Sequence, residues 1–320
     1  MDLLVTGVGE VDADGFDFRV ELGRRGYKYL PSASQYVLAA AKRALADAGE
    51  DALTAAGPER RGAAVGTNSA ATALHHAMDR TVTGASAAEL SPVTAPYFSI
   101  NLFGSRLATE HDLKGFNLTV TSPRVAGLEA LQTGARAVAA GRASRLLAGA
   151  TEEALPEGEP GAYASEAGAV ALLLEPAAAV AERGGRAHGR VGVRTAFLPP
   201  ALAATADGAP QAAEALRDAL AALGHRPGDP LTVTAVLDES PVGEAVAAAF
   251  PGAARVPAGS GCLAPLARVA AALRRPPDHA HAVVTAAAEG NTAVCLITPD
   301  GPGGTEASSR PGGLRRASGR

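Results

Sequence analysis

The sequence predicts an α/β protein built from two similar halves. Short apolar segments typical of buried strands alternate with alanine-rich amphipathic segments typical of helices along nearly the whole chain. This alternation favours parallel strands joined by right-handed crossovers, with helices covering both faces of the sheet. Hydrophobic residues make up 47% and charged residues 19% of the 320 residues, which is typical of a chain with a buried core.

The first series of elements runs from Leu3 to Leu174. Ser32 precedes a helical segment and is placed to cap it, because its hydroxyl can accept a hydrogen bond from the first turn. Gly49 and Gly141 each follow a helical segment, where a left-handed residue commonly ends a helix. The predicted strands are Leu3–Val8, Gly62–Gly66, Asn117–Thr121, Arg145–Gly149 and Gly168–Leu174, and the predicted helices are Ala33–Ala48 and Ala126–Ala140.

The second series repeats the alternation without an internal repeat at the level of single residues. Gly224 follows a helical segment in the same way as Gly49 follows the first helix. The predicted strands are Val191–Ala196, Leu231–Val236, Ala282–Ala287 and Thr292–Thr298, and the predicted helices are Ala212–Leu223, Val242–Phe250 and Leu263–Arg274. Two such series in one chain predict a duplicated architecture.

Charge and composition argue against several classes of function. A formal net charge of −4 gives no reason to expect nucleic acid or an anionic membrane as a partner. No apolar run reaches the ~20 residues that span a bilayer. The start, Met1–Gly7, carries an acidic residue and leads directly into a strand, unlike an export signal, so we expect a cytoplasmic protein. Cys262 and Cys295 lack the spacing of metal ligands, and we expect neither a metal nor a cofactor.

The segment Leu118–Leu131 reads as a strand that turns sharply into a helix, where many α/β enzymes carry a nucleophile. The residue at this elbow is Arg124. A guanidinium keeps its proton at any working pH, so it can neither attack a carbonyl nor act as a base. The sequence therefore predicts a scaffold typical of a catalyst but without a nucleophile at the elbow.

From about Leu3 to Thr298, the chain resembles the β-ketoacyl synthase (condensing enzyme) family. The motifs that carry the resemblance are Tyr36–Gly49, Ala64–Asn68, Ser91–Pro96 with Asn101–Gly115, Gly127–Leu131, Gly141–Glu153, Ser165–Glu175, Pro241–Ala245 and Glu289–Ala293. The resemblance implies a duplicated thiolase-like fold with layers α-β-α-β-α. We expect an amino-terminal half over residues 1–160, a carboxy-terminal half over residues 161–300 and a disordered tail over residues 301–320.

The residues of this chain at the family's three catalytic positions are not the residues that the family's chemistry needs. The nucleophilic cysteine falls on Arg124, the first histidine on Val236 and the second histidine on Cys262. Condensation needs a thiolate that holds the acyl chain and two imidazoles that stabilise an enolate. We therefore expect no catalytic residue and no condensing activity from this chain by itself.

Family members without the cysteine are the chain-length factors of type II polyketide systems. The resemblance implies a non-catalytic subunit that pairs with a catalytic ketosynthase, shapes its acyl tunnel and helps to dock an acyl carrier protein. Arg124 replaces the usual glutamine and the chain is short, which favours a reducing, polyene-type pathway over an aromatic one. Two alternatives stay open: a self-associating pseudoenzyme that binds an acyl thioester, and an acyltransferase rebuilt on Cys262 or Ser122.

The segment Pro96–Leu107 matches the family's dimer interface and gives the candidate tunnel residues. Tyr97, Phe98, Leu102 and Phe103 are candidates for the walls or floor of an acyl tunnel, with ordinary core packing as the equal alternative. Asn101 is a candidate to hold the interface loop by hydrogen bonds to backbone.

The remaining polar candidates have plainer alternatives. Arg124 either contacts the partner or a ligand, or it fills an abandoned pocket with its stem packed on apolar walls. Cys262 is more typical of a small buried hydrophobe than of a displaced nucleophile. His75 and His76 are expected to be solvated, and Asp238 is expected to be solvated or to lie at an interface.

Overall fold

Ten strands form one continuous sheet in the computed structural model, which describes residues 3–49, 51–93, 95–275 and 278–299. The strands are β1 (Leu3–Asp12), β2 (Arg61–Gly66), β3 (Phe116–Val120), β4 (Arg145–Glu152), β5 (Gly168–Pro176), β6 (Gly189–Phe197), β7 (Leu231–Leu237), β8 (Ala254–Pro257), β9 (Ala280–Ala286) and β10 (Asn291–Thr298). The predicted strands all appear, most of them one to four residues longer than expected. The sequence did not predict β8, because this short edge strand is mostly exposed and contains a proline.

The sheet contains the same five-strand pattern twice. Its strand order is β3-β2-β4-β5-β1-β6-β10-β9-β7-β8, so each strand of the first unit has a counterpart five strands later. In each unit three strands are parallel, and the last strand pairs antiparallel with two neighbours. The duplicated α/β architecture is therefore confirmed.

Parallel pairing holds for only part of each unit. The strands β2, β3 and β4 are parallel, as are β7, β8 and β9, whereas β5 and β10 run antiparallel to their neighbours. Only residues 287–290 separate β9 from β10, which suffices for a hairpin but not for a crossover. The expectation of parallel pairing throughout is therefore wrong at these two strands.

The strand pattern begins again at β6. By topology the first unit includes β5 and runs to Pro176, one strand beyond the division expected after residue 160. Between the units, β1 pairs with β6 at only two positions, Leu4 with Arg190 and Val5 with Gly189. The tail over residues 301–320 lies outside the described residues.

Helices cover the sheet in layers. They are α1 (Phe18–Glu21), α2 (Ser32–Ala48), α3 (Asp51–Thr54), α4 (Thr72–Gly84), α5 (Leu102–Glu110), α6 (Ala126–Ala139), α7 (Ala177–Glu182), α8 (Pro200–Ala203), α9 (Gly208–Ala222), α10 (Pro241–Ala249) and α11 (Leu263–Arg274). The helices α6 and α11 share a core with strands of both units, so they lie between the two halves of the sheet. Because α2 packs outside the first unit and α9 and α10 outside the second, the layers are α-β-α-β-α.

Burial on both faces explains why the strands are almost continuously apolar. In β5, Leu172 and Leu174 face the central helices, while Ala171 and Leu173 face α2. A strand covered on both sides has no solvent-facing positions for polar residues. No helix among the described residues combines the length and apolarity needed to cross a membrane.

The helix ends agree with the glycine pattern but not with the predicted cap. Gly49, Gly141 and Gly224 all have positive φ, so each ends its helix in a conformation that favours glycine. The residue at the N-cap position of α2 is Pro31 rather than Ser32, because Ser32 is already the first residue of the helix. The Ser32 side chain therefore does not cap α2.

Candidate functional site

The elbow between β3 and α6 holds Arg124 in a strained backbone conformation. Its φ is 58°, in the left-handed region that residues with a side chain rarely adopt. The Asn68 side chain fixes this turn: its Oδ1 accepts the Arg124 N–H at 3.0 Å, and its amide donates to the carbonyls of Thr121 and Ser122. The sharp turn predicted from the sequence is therefore present, with a polar clamp that the sequence did not indicate.

The Arg124 side chain crosses from the first unit to the second. Its Nη1 lies 2.7 Å from Oδ2 of Asp238, which follows β7, and donates to the carbonyl of Ala286 at 3.2 Å. The side chains of Arg124 and Asp238 are only 13% and 25% exposed. The Asp238 carboxylate is thus paired within its own chain rather than freely solvated, and the alternative of an interface role stays a prediction.

Asp238 is held in its charged form. Burial by itself would raise the pKa of Asp238, but hydrogen bonds from Ser240 and the charge and hydrogen bond of Arg124 outweigh it, so the pKa is lowered. A carboxylate that stays ionised maintains the ion pair at neutral pH. The Nε of Arg124 is buried and has no hydrogen-bond acceptor within the described part of the chain.

Val236 is the residue that the sequence analysis predicted at the position of the family's first histidine. It is fully buried on β7 and belongs to the core around the central helices, and its carbonyl accepts the Thr285 hydroxyl at 2.8 Å. An isopropyl group in this place can neither donate nor accept a proton. No acid–base function can come from this side chain.

Cys262, the residue predicted at the position of the family's second histidine, directly precedes α11. Its backbone N–H donates to Oε1 of Glu152 at 2.8 Å, while the side chain is completely buried. Burial and the negative charge of Glu152 raise the pKa of the Cys262 thiol well above its usual value. The geometry favours the small buried hydrophobe and argues against a displaced nucleophile.

Glu152 accepts several hydrogen bonds at this end of the sheet. Its fully buried carboxylate accepts the backbone N–H groups of Asn68, Ser69 and Cys262, together with the hydroxyls of Ser69 and Thr67. A buried carboxylate is stable when donors surround it in this way. Glu152 therefore links β2 and β4 of the first unit to α11 of the second.

Glu166 binds the start of α11 from the loop before β5. Its carboxylate accepts the backbone N–H groups of Leu263 at 2.9 Å and Ala264 at 3.1 Å, which have no partner inside the helix. Burial is the main reason why the pKa of Glu166 is raised, and the charge of Glu152 adds to it. The site is thus lined by two buried acids and one guanidinium.

The tunnel candidates lie on the outer side of the first unit, around α5 and the short 3₁₀ helix Ala95–Phe98. Phe103 is fully buried in a small cluster with Ala33, Ala70 and Ala71, as ordinary core packing requires. Tyr97 and Leu102 are half-buried, Asn101 is exposed and Phe98 is 64% exposed. The structure brings Arg124, Val236 and Cys262 to one end of the sheet and places this group elsewhere on the first unit.

Two residues of the elbow region escaped the sequence analysis. Asn68 follows β2, and Glu152 ends β4 inside a motif that was recognised only as a family likeness. Polar residues directly after buried strands were the signal that could have identified both. Among the described residues, no group of three His, Cys, Asp or Glu side chains is arranged to hold a metal ion.

Solved structures with the same fold cover nearly the whole chain. One described as the ishigamide ketosynthase/chain length factor matches with a TM-score of 0.74 and 22% identity, over 94% of this chain and 100% of that one. The AntDE:AntF complex, a type II PKS acyl-carrier protein with its ketosynthase bound to the hexaketide, gives 0.71 and 16%, over 93% and 99%. A β-ketoacyl synthase from Burkholderia phymatum STM815 gives 0.68 and 15%, over 93% and 99%.

A comparison with curated proteins found no match. A family model described as the N-terminal domain of β-ketoacyl synthase matches residues 6–184, which is more than half of the chain. This range ends after β5, where the strand pattern also ends its first unit. Sheet order, elbow and family model agree, and the chain belongs to the β-ketoacyl synthase family.

Proposed function

We propose that this chain is a non-catalytic chain-length factor of a type II polyketide system. It pairs with a catalytic ketosynthase and helps to shape the tunnel in which the partner's acyl chain grows. The observation that carries the proposal is the ion pair of Arg124 with Asp238 at the elbow. An arginine paired with a carboxylate at the nucleophile position supports a role in which the chain helps to shape the tunnel but takes no part in the chemical step.

Each chemical role of a condensing enzyme lacks its group here. Arg124 cannot form a thioester, Val236 has no polar atom, and the Cys262 thiol is buried with a raised pKa. A single lost role would leave a slow enzyme. The loss of all three supports selection for another property of the same fold.

A poorly covered surface supports association with a partner. No residue of α4 is buried, although the helix carries Leu74, Met78 and Val82. Val93 and Phe98, in the segment that follows, are 53% and 64% exposed. Exposed apolar side chains in one region are typical of a protein interface. We propose that this α4 surface, formed by Thr72–Val93 and Pro96–Phe98, contacts the ketosynthase.

Two printed descriptions bear on the partners. One similar structure is a ketosynthase/chain length factor, and another contains a type II PKS acyl-carrier protein with its ketosynthase. By analogy, the proposed partners are a catalytic ketosynthase and an acyl carrier protein. A reducing, polyene-type pathway is proposed because Arg124 replaces the glutamine that is usual in aromatic systems.

The alternative of a self-associating acyl-thioester binder is less well supported. Such a protein would hold its ligand at the elbow, where the Arg124 side chain already bonds to Asp238 and to the carbonyl of Ala286. An acyl group would have to displace this pair. The heterodimer requires no such displacement, because the growing chain enters through the partner.

The decisive experiment is co-expression with a ketosynthase encoded next to this chain that keeps its Cys-His-His set. We expect one-to-one heterodimers in size exclusion with mass measurement, and condensing activity only when both chains are present. Phe98→Glu should weaken the heterodimer, whereas Phe197→Glu, at an equally exposed position in the second unit, should not. A homodimer that ignores the ketosynthase would refute the proposal.

A further inference from the structure

A groove of about 610 Å³ lies at the seam between the two units, away from the elbow. The first unit contributes β1 and the carboxy-terminal part of α6, and the second contributes β6, β10 and the residues after α9. It opens where β1 and β6 part, because their pairing consists of only Leu4 with Arg190 and Val5 with Gly189. Its volume lies within the range of small-molecule sites.

The groove is positively charged in a chain whose net charge is negative. Arg136 on α6 and both Arg190 and Arg194 on β6 line it, and none of its lining residues is acidic. Arg136 and Arg194 are exposed and form no ion pair within the residues that the structure describes. The charges of Arg136 and Arg194 therefore have no acidic partner among the described residues, and an anion bound in the groove would compensate them.

The floor of the groove is apolar and open. Gly192 lies between Arg190 and Arg194 on β6, and a Cβ at this position would lie 2.8 Å from the Leu223 side chain. A side chain at this position would have to displace the Leu223 side chain, so the floor between the two arginines consists of backbone and Leu223. Leu296 and Val191 extend the apolar lining. The groove combines an apolar floor with a rim of guanidinium groups.

We propose that this arginine groove, lined by Arg136, Arg190, Gly192, Arg194 and Leu223, binds a small phosphorylated molecule that has an apolar part. Guanidinium groups bind phosphate oxygens through paired charge-assisted hydrogen bonds, and the apolar floor accommodates a ring or an alkyl part. The size class is that of a nucleoside diphosphate. This inference is independent of the proposed function, because none of its residues belongs to the elbow or to the α4 surface.

The test is calorimetric titration of the full-length chain with ADP and with pyrophosphate. We expect saturable binding of both probes, weakened by rising ionic strength. Arg136→Ala and Arg194→Ala should each raise the Kd for ADP by at least about tenfold, because each removes a charge-assisted contact. Arg194→Lys keeps the charge and should lose less affinity than Arg194→Ala.

Arg217→Ala is the matched control. Arg217 lies on α9 near the groove but lines a separate pocket with Phe250, so its loss should leave the Kd unchanged. Circular dichroism should show that every variant is folded. The proposal is overturned by no saturable binding of either probe up to about 10 mM, by an unchanged Kd in the Arg136→Ala/Arg194→Ala double variant, or by equal losses in Arg217→Ala.

Discussion

The two units of the chain contain the same strand–loop–helix step but use it in different ways. In the first unit β3 leads through Arg124 into α6, and in the second β8 leads through Cys262 into α11. Arg124 crosses to the other unit with a charged side chain that pairs with Asp238. At Cys262 the contact runs from the second unit to the first: its backbone N–H donates a hydrogen bond to Glu152, while its side chain stays buried.

The difference shows two kinds of contact, here called joints, through which the same strand–loop–helix step connects the two units. At Cys262 the crossing bond is fully buried and belongs to the network of Glu152, so water cannot replace it. At Arg124 the crossing pair retains some contact with solvent, which can partly replace it. We therefore expect the Glu152 joint to carry more of the folding free energy, and the Arg124 joint to determine what fits at the elbow.

Glu152→Ala should have the largest effect. The substitution removes the acceptor of three backbone N–H groups and of the Thr67 hydroxyl, while the Ser69 hydroxyl keeps the Glu153 carbonyl as an acceptor. We therefore expect a loss of about 4 kcal/mol in the free energy of unfolding, or no soluble protein. Glu152→Gln keeps one acceptor oxygen and should lose less. Urea denaturation of both variants provides the measurement. A loss under about 1 kcal/mol in Glu152→Ala would show that the joint is not needed for stability.

The ion pair at the elbow should have a moderate effect. Arg124→Ala and Asp238→Ala should each cost about 1–2 kcal/mol, and the double variant should cost about 1 kcal/mol less than their sum. A double-mutant cycle of urea denaturation measures this coupling. The matched control is Arg255 with Glu244, whose side chains are 49% and 54% exposed and should couple much more weakly because solvent screens the pair. Equal coupling in both pairs would contradict the special role of the elbow pair.

The stabilising contributions of Asp238 and Glu166 should depend on pH with opposite signs. The pKa of Asp238 is lowered in the folded chain, so its stabilisation is present above the unfolded pKa and is lost as pH falls through the folded pKa. The pKa of Glu166 is raised, so its contribution is present below the unfolded pKa and is lost as pH rises through the folded pKa.

Stability measured from pH 3 to pH 7 tests both signs. Asp238→Asn should remove part of the loss at acidic pH, whereas Glu166→Gln should remove part of the loss that accompanies rising pH. The same pH profile for both variants would contradict the assignment.

Most of the fold could be predicted from the sequence, because alternation of apolar segments directly reflects strands and helices packed in layers. β5 was predicted correctly from a run that is apolar on both faces, and Gly49, Gly141 and Gly224 were correct as helix ends. The antiparallel strands were missed, since periodicity reports which face is buried and not the direction of a strand. The short exposed strand β8 has no such periodicity.

The candidate site could be predicted only in outline. No sequence pattern indicates that Arg124 pairs with Asp238, because the two residues are far apart in the chain and meet only when the units pack together. The same holds for Glu152 and Cys262. Phe98 and Phe103 looked equivalent in the sequence, yet Phe98 ends the exposed 3₁₀ helix whereas Phe103 lies on the buried side of α5.

The smallest expected effect concerns the thiols, and it separates the two readings of Cys262. Burial raises the pKa of Cys295 to about 12, and burial with the charge of Glu152 raises that of Cys262 well above its usual value. We expect no reaction of either thiol with Ellman's reagent in the native chain and full reaction of both in urea. Cys262→Ala should change stability by less than about 1.5 kcal/mol, because the crossing bond comes from the backbone N–H. Rapid labelling of the native chain that is lost in Cys262→Ala would instead show that the second unit retains a reactive thiol. The joint at Cys262 would then be accessible to the reagent, unlike the joint at Arg124.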